Sequence, residues 1–344
     1  MEELLRQTVQ LYNQLLGVGV EQRRQEVGGG AVREAGEAVA AAGPQHRLYR
    51  RVGRLLLRCT QHNLLQHISQ EADALAASLT ALTKRRNILL QKLRVKESSL
   101  GEEAGNVEDY WLGRAVATTA GCGQGEGVVV INTETPPRLQ VGPQCGVLAV
   151  LAGVAALGIT GLTLDLVMQE ARSAGLSKQG ELFSAESAAL LAALVGGRAG
   201  RVEAAARLAD TAWLLSTLST PGIILVPYDC GPDSAVVLAS GERAHWGVVT
   251  GMLVPGPGPG ITRVRGPGDV SPQLLQAAAA GPASEVRLLV RQSKAIELNV
   301  LRRDLLLASC EQLTLTASRR QDGSYILPQG GIKEGLCGKI VVLD

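Results

Sequence analysis

The stretch QVGPQCGVLAVLAGVAAL, residues 140–157, places a cysteine directly before a long apolar run. The run that begins at Gly146 holds no charge and no proline, so the sequence predicts a buried helix starting at Cys145. The uncharged stretch continues to Leu164, a length at which a membrane span has to be weighed. Its glycines and threonines, and the Asp165 that ends it, favour a buried helix followed by a turn.

A cysteine in this position has the surroundings of a nucleophile. The first N–H groups of a helix have no intrahelical partner, and with the helix dipole they favour a thiolate at Cys145. The same groups, with a glutamine amide upstream, are suited to hold the oxyanion formed when a carbonyl is attacked. Gln140 or Gln144 supplies that amide, and Gln140 has the more suitable offset. The other interpretation is a small buried cysteine that merely begins a core helix.

The positions of the histidines narrow the search for a catalytic base. Three of the four lie in the N-terminal segment: His46, His62 and His67. His245 is left for the rest of the chain, and it lies in RAHWGVV, residues 243–249, at the start of an apolar run. A cysteine followed about a hundred residues later by a histidine at a strand start is the chain order of papain-like peptidases. The pair Cys145 and His245 therefore predicts a nucleophile and its base.

Two further cysteines are weaker candidates for chemistry. Cys337 is followed by glycine in EGLCGK, residues 334–339, and is the second choice for a reactive thiol. Cys230 follows Asp229, which is interpreted either as an orienting or substrate-binding carboxylate or as a solvated turn residue. The six cysteines contain no C-x-x-C pair and are widely spread, so free thiols are expected instead of a zinc site or a disulfide framework. No metal or cofactor is expected.

Residues 1–105 differ in pattern from residues 106–344, and this difference predicts two segments. The first contains an apolar seam with alternating three- and four-residue steps: Leu65, Ile68, Ala72, Leu75, Leu79, Leu82, Leu89 and Leu93. Such a seam is typical of a coiled coil that associates with another chain, or of one helix in an antiparallel hairpin. In the hairpin, the partner is residues 3–16 and the turn lies near residues 28–30.

The second segment is predicted to have an α+β fold, because predicted helices precede most of its strands. The helices are expected at residues 146–157, 162–174, 184–194 and 201–218, with Ser184 as an N-cap. The strands are expected at residues 127–132, 223–228, 245–254 and 286–290. The repeated glycines and prolines of residues 255–269 are predicted to form a loop.

Composition excludes several kinds of function. The apolar fraction of 46% supports a sizeable core, while an aromatic fraction of 3% leaves few surfaces on which bases could stack. A net charge of +2 is too small to indicate a polyanionic partner, so no nucleic acid and no membrane are expected as partners. The N-terminus lacks the charged flank and apolar block of a secretory signal, so a cytoplasmic protein is expected.

The motifs taken together resemble one family. They are QVGPQCG at 140–146, QGELFS at 179–184, VPYD at 226–229, AHW at 244–246 and GGIKEGLCG at 330–338. In this order they are similar to the actin maturation proteases, over about residues 126–344. The resemblance implies a C39-like, papain-like cysteine peptidase domain that removes an acetylated N-terminal Met or Cys from immature actin. It assigns the nucleophile to Cys145 and the general base to His245.

The resemblance has two departures. The family begins with a proline-rich tail associated with profilin binding, whereas this chain has a coiled-coil-like segment there. The resemblance therefore implies actin as the partner, through its N-terminus, and does not carry profilin over to this chain. Self-association through the N-terminal helices is a further candidate interaction. The residue that orients the histidine stays open between Asn299 and Asp304. The alternative functions are a general papain-like peptidase or deubiquitinase with another substrate, and a coiled-coil interaction protein with a degenerate peptidase fold.

Overall fold

The chain forms two compact units, residues 1–103 and 104–344. The computed structural model describes residues 2–42, 48–52, 55–104, 127–133, 135, 137–140, 142–197, 200–220, 222–231, 234–256, 261–264, 271, 273, 276, 286–295 and 297–344. His46, and residues 105–126 around the predicted boundary between the two segments, lie outside the described residues.

The first unit is a helical hairpin within one chain. Its long helices are α1 (Glu2–Ala41) and α2 (Gln61–Ala104), and between them lie the antiparallel strands β1 (Leu48–Val52) and β2 (Leu55–Cys59). Gln22 in α1 donates from Nε2 to Thr83 Oγ1 in α2 at 3.0 Å. Gly36, further along α1, lies against Ile68, which precedes Thr83. The two helices therefore run antiparallel, as the hairpin interpretation of the seam predicts.

The turn expected at residues 28–30 is wrong, because these glycines lie inside α1. An ideal Cβ at Gly28 would lie 3.8 Å from a Leu75 methyl group on α2, so glycine fits where the two helices pack. A helical glycine lowers stability by about 1 kcal/mol relative to alanine. Packing between two long helices outweighs this local cost, and the chain reverses only after Ala41.

The second unit combines helices with a nine-stranded sheet. Its helices are α3 (Cys145–Ala156), α4 (Leu164–Ser173), α5 (Ala185–Gly196), α6 (Thr211–Ser219), α7 (Arg303–Glu311) and α8 (Gly331–Leu336). Its strands are β3 (Gly127–Asn132), β4 (Arg201–Ala204), β5 (Ile223–Cys230), β6 (Val236–Val237), β7 (Ala244–Gly256), β8 (Ile261–Val264), β9 (Arg287–Gln292), β10 (Asn299–Arg302) and β11 (Lys339–Leu343). The order along the sheet is β10-β9-β7-β5-β11-β4, and all these neighbours are antiparallel. This arrangement confirms the predicted α+β class.

The sheet has a hydrophobic core on each face. Ile223 and Leu225 belong to a cluster with the apolar residues of α3, α4 and α5. Ile224, Val226 and Tyr228 belong to a second cluster, which includes residues of α6 and α7. Side chains alternate between the two faces of a strand, so β5 supplies both cores and reads as a continuous apolar run.

Most of the predicted elements are confirmed, including the Ser184 cap, whose Oγ accepts from Ser187 N at 3.1 Å. The single helix expected at residues 201–218 is wrong, because its first part is β4, which pairs with β11, followed by a 3₁₀ turn and α6. The expected loop at residues 255–269 is wrong at its centre. Four residues there form β8, which runs parallel to β3.

The uncharged run of residues 146–164 forms α3 and the turn that follows it. Within the described ranges, no helix combines the length and the apolar character needed to cross a bilayer.

The N-terminus of α3 packs closely against residues 180–182. An ideal Cβ at Gly146 would lie 2.6 Å from Leu182 Cβ and 2.7 Å from Leu182 N. Gly180 has φ of +104°, and a Cβ there would lie 2.9 Å from Gln144 Cα. Val147 N donates to Gly180 O at 3.1 Å. Glycine is therefore needed on both sides of this contact.

We expect Gly146→Ala to lower the free energy of unfolding of the second unit by about 1–3 kcal/mol. The added methyl group would overlap the Leu182 backbone, which can move aside only if the segment around it shifts. Urea denaturation followed by tryptophan fluorescence measures this free energy. The chain has three tryptophans and none is in residues 1–103, so the fluorescence does not come from the helical hairpin.

Gly29→Ala is the matched control, because nothing lies within 4 Å of an ideal Cβ there. It should leave the fluorescence transition unchanged while raising the helix stability of the first unit, which far-UV circular dichroism follows. A Gly146→Ala protein as stable as the parent would contradict the tight packing of α3.

Candidate active site

Cys145 is the first residue of α3, as the sequence predicts. Its thiol is positioned by two backbone hydrogen bonds, from Trp246 on β7 and from Gly146. The residue that precedes Trp246 on the strand is His245. The N-terminus of α3 and the start of β7 therefore meet at the sulfur atom.

Burial raises the pKa of the Cys145 thiol above its ordinary value. The Trp246 hydrogen bond, the charges of Lys294 and Arg320, and the Gly146 hydrogen bond act in the opposite direction without overcoming it. Part of the residue reaches solvent, yet its surroundings are dense enough for desolvation to dominate. Burial is the largest influence on the pKa of this thiol, and it opposes the thiolate that the sequence predicts at the helix N-terminus.

His245 lies near the start of β7 and is 3% exposed. Its ring packs edge-on against Tyr228 of β5, with centroids 6.2 Å apart and planes at 81°. Burial, followed by the charge of Lys294, lowers its pKa to about 3. The imidazole is therefore neutral at physiological pH and able to accept a proton.

Gln292, the last residue of β9, is the side chain that lies beside the imidazole. β9 pairs with β7 so that Gln292 is opposite Gly247, two residues from His245. Its side chain raises the pKa of His245 by hydrogen bonding, against the effect of burial, although neither His245 Nε2 nor Gln292 Nε2 completes a well-aligned bond. The side-chain amide oxygen of Gln292, Oε1, accepts a hydrogen bond from Lys294 N at 3.2 Å. Gln292 was not predicted from the sequence. The feature that could have indicated it is its position at the end of β9, the strand beside β7.

The structure places the two expected orienting residues in other surroundings. Asn299 starts β10, and its amide donates to Glu297 O at 3.3 Å and to Val290 O at 3.5 Å. Asp304 forms an exposed ion pair with Arg302, which lowers the pKa of its carboxyl. The interposed strand β9 separates β10 from β7, so Gln292 takes the position at the imidazole that these two residues were expected to fill.

Gln140 has an amide that is held on both sides. Its Nε2 donates to Gly142 O at 2.8 Å, and its Oε1 accepts from Ser293 Oγ at 2.7 Å. Its backbone N–H also donates to Ser293 O at 2.8 Å. The amide nitrogen carries two hydrogens, so one is left over after the Gly142 bond. Gln144, the other candidate, is the N-cap residue of α3 and makes no side-chain cap.

The buried carboxylate of Glu181 holds the backbone segment that contacts both α3 and Trp246. Glu181 is 1% exposed and accepts from Ser177 Oγ, Lys178 N, Gln179 N and Ile326 N, at 2.7–3.1 Å. The next residue, Leu182, accepts from the Trp246 indole N–H at 2.7 Å. This segment is the QGELFS motif, so the motif positions the site instead of reacting.

Asp229 is a structural residue and neither a solvated turn residue nor a substrate-binding one. It is fully buried and accepts backbone N–H bonds from Ala239, Gly241 and Arg243, at 2.8–3.0 Å. Gln312 Nε2 donates to it at 2.6 Å. Its carboxylate thus fixes the turn from which β7 and His245 start.

Cys337, the second-choice thiol, follows α8 and donates to Glu311 O at 2.9 Å. Burial raises the pKa of the nearby Cys310 thiol to about 12. Cys230 is buried beneath Gln292, with its sulfur 3.9 Å from Gln292 Oε1. The thiol of Cys145, by contrast, lies beside the backbone of Trp246, the residue that follows His245.

The part of the chain that carries these residues also matches known proteins. The family described as "Actin maturation protease-like, C-terminal domain" matches residues 135–253, which include Gln140, Cys145 and His245. The actin maturation protease of Xenopus tropicalis is 31% identical over 226 residues, covering 63% of this chain and 74% of that protein. The chain belongs to the actin maturation protease family.

Other family members give similar values. The actin maturation protease of Danio rerio is 32% identical, covering 62% of this chain and 74% of that protein, and that of Homo sapiens is 30% identical, covering 62% and 65%. Among solved structures, the prefoldin beta subunit from Thermococcus strain KS-1 has a TM-score of 0.29 at 18% identity and covers 30% of this chain, which is too low a likeness to support an inference.

The lowered pKa of His245 predicts an acid dependence of stability. A histidine with a folded pKa of about 3, against 6.5 when unfolded, binds fewer protons in the folded state, so stability falls as the pH drops below about 6.5. Between pH 7 and pH 5 the parent should lose about 2 kcal/mol more than His245→Gln, which does not titrate there. Urea denaturation at both pH values measures this, and parallel pH profiles would contradict a buried neutral imidazole.

Proposed function

We propose that this chain is a cysteine aminopeptidase that removes an acetylated N-terminal Met or Cys from immature actin. The observation that carries the proposal is the meeting of the Cys145 sulfur with the backbone N–H of Trp246, one residue after His245. The curated relatives are named actin maturation proteases, which supplies the substrate. Both are consistent with a papain-like, C39-like arrangement, in which a helix N-terminus carries the thiol and an antiparallel sheet carries the imidazole.

The proposed mechanism starts from a neutral thiol and a neutral imidazole. Cys145 Sγ attacks the carbonyl carbon of the terminal residue while His245 accepts the thiol proton. The tetrahedral intermediate collapses to a thioester, and His245 returns the proton to the leaving amine of the shortened protein. Water, deprotonated by His245, then attacks the thioester and releases the acetylated amino acid together with the free thiol.

Stabilisation of the oxyanion is assigned to the start of α3 and to Gln140. The N–H of Cys145, at the first position of α3, has no intrahelical acceptor, and the second amide hydrogen of Gln140 is left over after its bond to Gly142. Ser293 holds the Gln140 amide from its oxygen side. The amide is thus oriented before the substrate arrives, which avoids a reorganisation cost during reaction.

The same assignments give the two segments of the chain different proposed functions. Every proposed catalytic group lies in residues 106–344, the peptidase domain, and none lies in residues 1–105. We assign to the helical segment a role in binding a partner or a second copy, with cytoplasmic actin as the substrate of the peptidase domain. Profilin is not needed by any step above.

Cys145→Ala should lower cleavage of an acetylated actin N-terminal peptide by about a thousandfold or more, because no other group forms the thioester. Mass spectrometry of the peptide measures the loss of one acetylated residue. Alanine is accepted at a helix start, so tryptophan fluorescence should be unchanged. A protein of residues 106–344 should cleave the same peptide, which tests the division of the chain.

Cys337→Ala is the matched control, since Cys337 is the other partly exposed cysteine of the described chain, and it should retain full activity. A Cys145→Ala protein within about tenfold of the parent would move the nucleophile elsewhere. Absence of cleavage by the parent itself would sink the proposed function.

Gln292 is proposed as the positioning residue of His245, in place of Asn299 and Asp304. Gln292→Ala should lower kcat by about tenfold or more, because the base loses its neighbour. Gln292→Glu puts a carboxylate beside the imidazole and should raise the pKa of His245, which an NMR titration of its ring protons follows. A residue 292 that lies away from the imidazole would not give this shift.

Asn299→Ala and Asp304→Ala are the controls and should keep kcat within about twofold, since both side chains bond elsewhere. A loss of kcat in Asp304→Ala with none in Gln292→Ala would restore the original assignment.

A further inference from the structure

A small cavity lies beside Cys145 and is unused by the mechanism above. Its volume is about 20 Å³. Its walls are apolar on the side of α3 and β7 and polar on the side of β9 and the segment before α3: Leu148, Ala149, Ala152, Trp246, Val248, Arg138, Arg291, Gln292 and Ser293. This volume exceeds the minimum needed for one water molecule, so the cavity can receive a small chemical group.

Two of the polar residues lining the cavity present unpartnered donors. Arg138 Nε and Gln292 Nε2 are both buried and neither has a hydrogen-bond partner in the described structure. Gln292 as a whole is 5% exposed. Buried donors without acceptors are destabilising, and arginine cannot relieve this by losing its proton. Arg291, by contrast, is satisfied through Nε by Thr135 O at 3.0 Å. The cavity therefore offers donors to an acceptor that enters it.

The charges around the cavity define which N-terminus it accepts. Among the described residues that line it there is no carboxylate, and Lys294 and Arg320 act on both Cys145 and His245. A free α-ammonium group brings a positive charge and three more donors, and it finds no counter-charge among these residues. An acylated terminus is uncharged, and its carbonyl oxygen accepts hydrogen bonds.

We propose that this cavity is the subsite that receives the acyl group of a blocked N-terminal residue, with Arg138 as the residue that recognises it. The acyl carbonyl oxygen accepts from Arg138 Nε and Gln292 Nε2, and the methyl group packs on Ala149 and Ala152. The subsite rests on the proposed function and adds its specificity. A cavity of about 20 Å³ admits formyl or acetyl and rejects longer acyl chains such as butyryl.

The test compares peptides of one sequence that carry an acetyl, a butyryl or a free amino terminus, using the full-length protein. The parent should prefer the acetylated peptide over the free amine by about a hundredfold or more in kcat/KM. In Arg138→Met this ratio should fall by about tenfold or more, because a charge-assisted bond is lost. Arg302→Met, at an exposed ion pair, is the matched control and should leave the ratio unchanged.

Binding separates this proposal from the proposed function. Calorimetry with Cys145→Ala protein should detect N-acetylmethionine amide but not methionine amide, and Arg138→Met should abolish that binding. Binding without turnover by the parent would support the subsite and sink the proposed reaction. Equal cleavage of acetylated and free peptides, equal cleavage of butyryl peptide, or an unchanged ratio in Arg138→Met would overturn the subsite. Should Arg138→Met fail to fold by fluorescence, Arg138→Lys removes the Nε–H while keeping the charge and should show the same loss.

Discussion

The site depends on one close contact, between the first turn of α3 and residues 180–182. Gly146 has no side chain, so the helix that carries Cys145 approaches the Leu182 backbone, and Gly180 makes room for Gln144 from the other side. The same short segment accepts the Trp246 indole N–H through Leu182 O. Since Trp246 is adjacent to His245, the segment of residues 180–182 fixes the spacing between Cys145 and His245. The buried Glu181 holds that segment by bonds to its own backbone and to Ile326 N.

Close packing around the thiol also decides the protonation of the pair. A helix N-terminus favours a thiolate, but desolvation of a buried group is the larger effect at Cys145 and at His245. The resting pair is therefore a thiol and a neutral imidazole. In the proposed mechanism, charge is separated only as the thiol attacks, when the proton moves to the imidazole and the negative charge passes to sulfur and then to the oxyanion. Lys294 and Arg320 favour the negative partner of that separated pair.

The sequence predicted the parts of the site that depend on local pattern. Cys145 at a helix start, His245 near a strand start and Ser184 as an N-cap all follow from the periodicity of nearby residues, and each is confirmed as a position. Prediction from the sequence failed where the structure depends on pairing between strands that are distant along the chain. Residues 201–204 join β11 near the end of the chain, and Gln292 reaches the imidazole because β9 is inserted between β7 and β10. Neither fact is visible in the order of residues along the chain.

The Gln292 side chain beside the imidazole is an uncharged amide, which affects the balance of charge in the site. A carboxylate beside the imidazole would stabilise the imidazolium ion and raise the pKa of His245, whereas an amide adds no charge, and two nearby cations lower that pKa further. Without a carboxylate at the imidazole or in the adjoining cavity, nothing described there offers a counter-charge to a terminal ammonium. Burial is the largest influence that lowers the pKa of His245, and the charge of Lys294 acts in the same direction. On the proposed assignment of the cavity, the same excess of positive charge would favour an uncharged, acylated terminus, so one local balance of charge would affect both the proposed base and the choice of substrate.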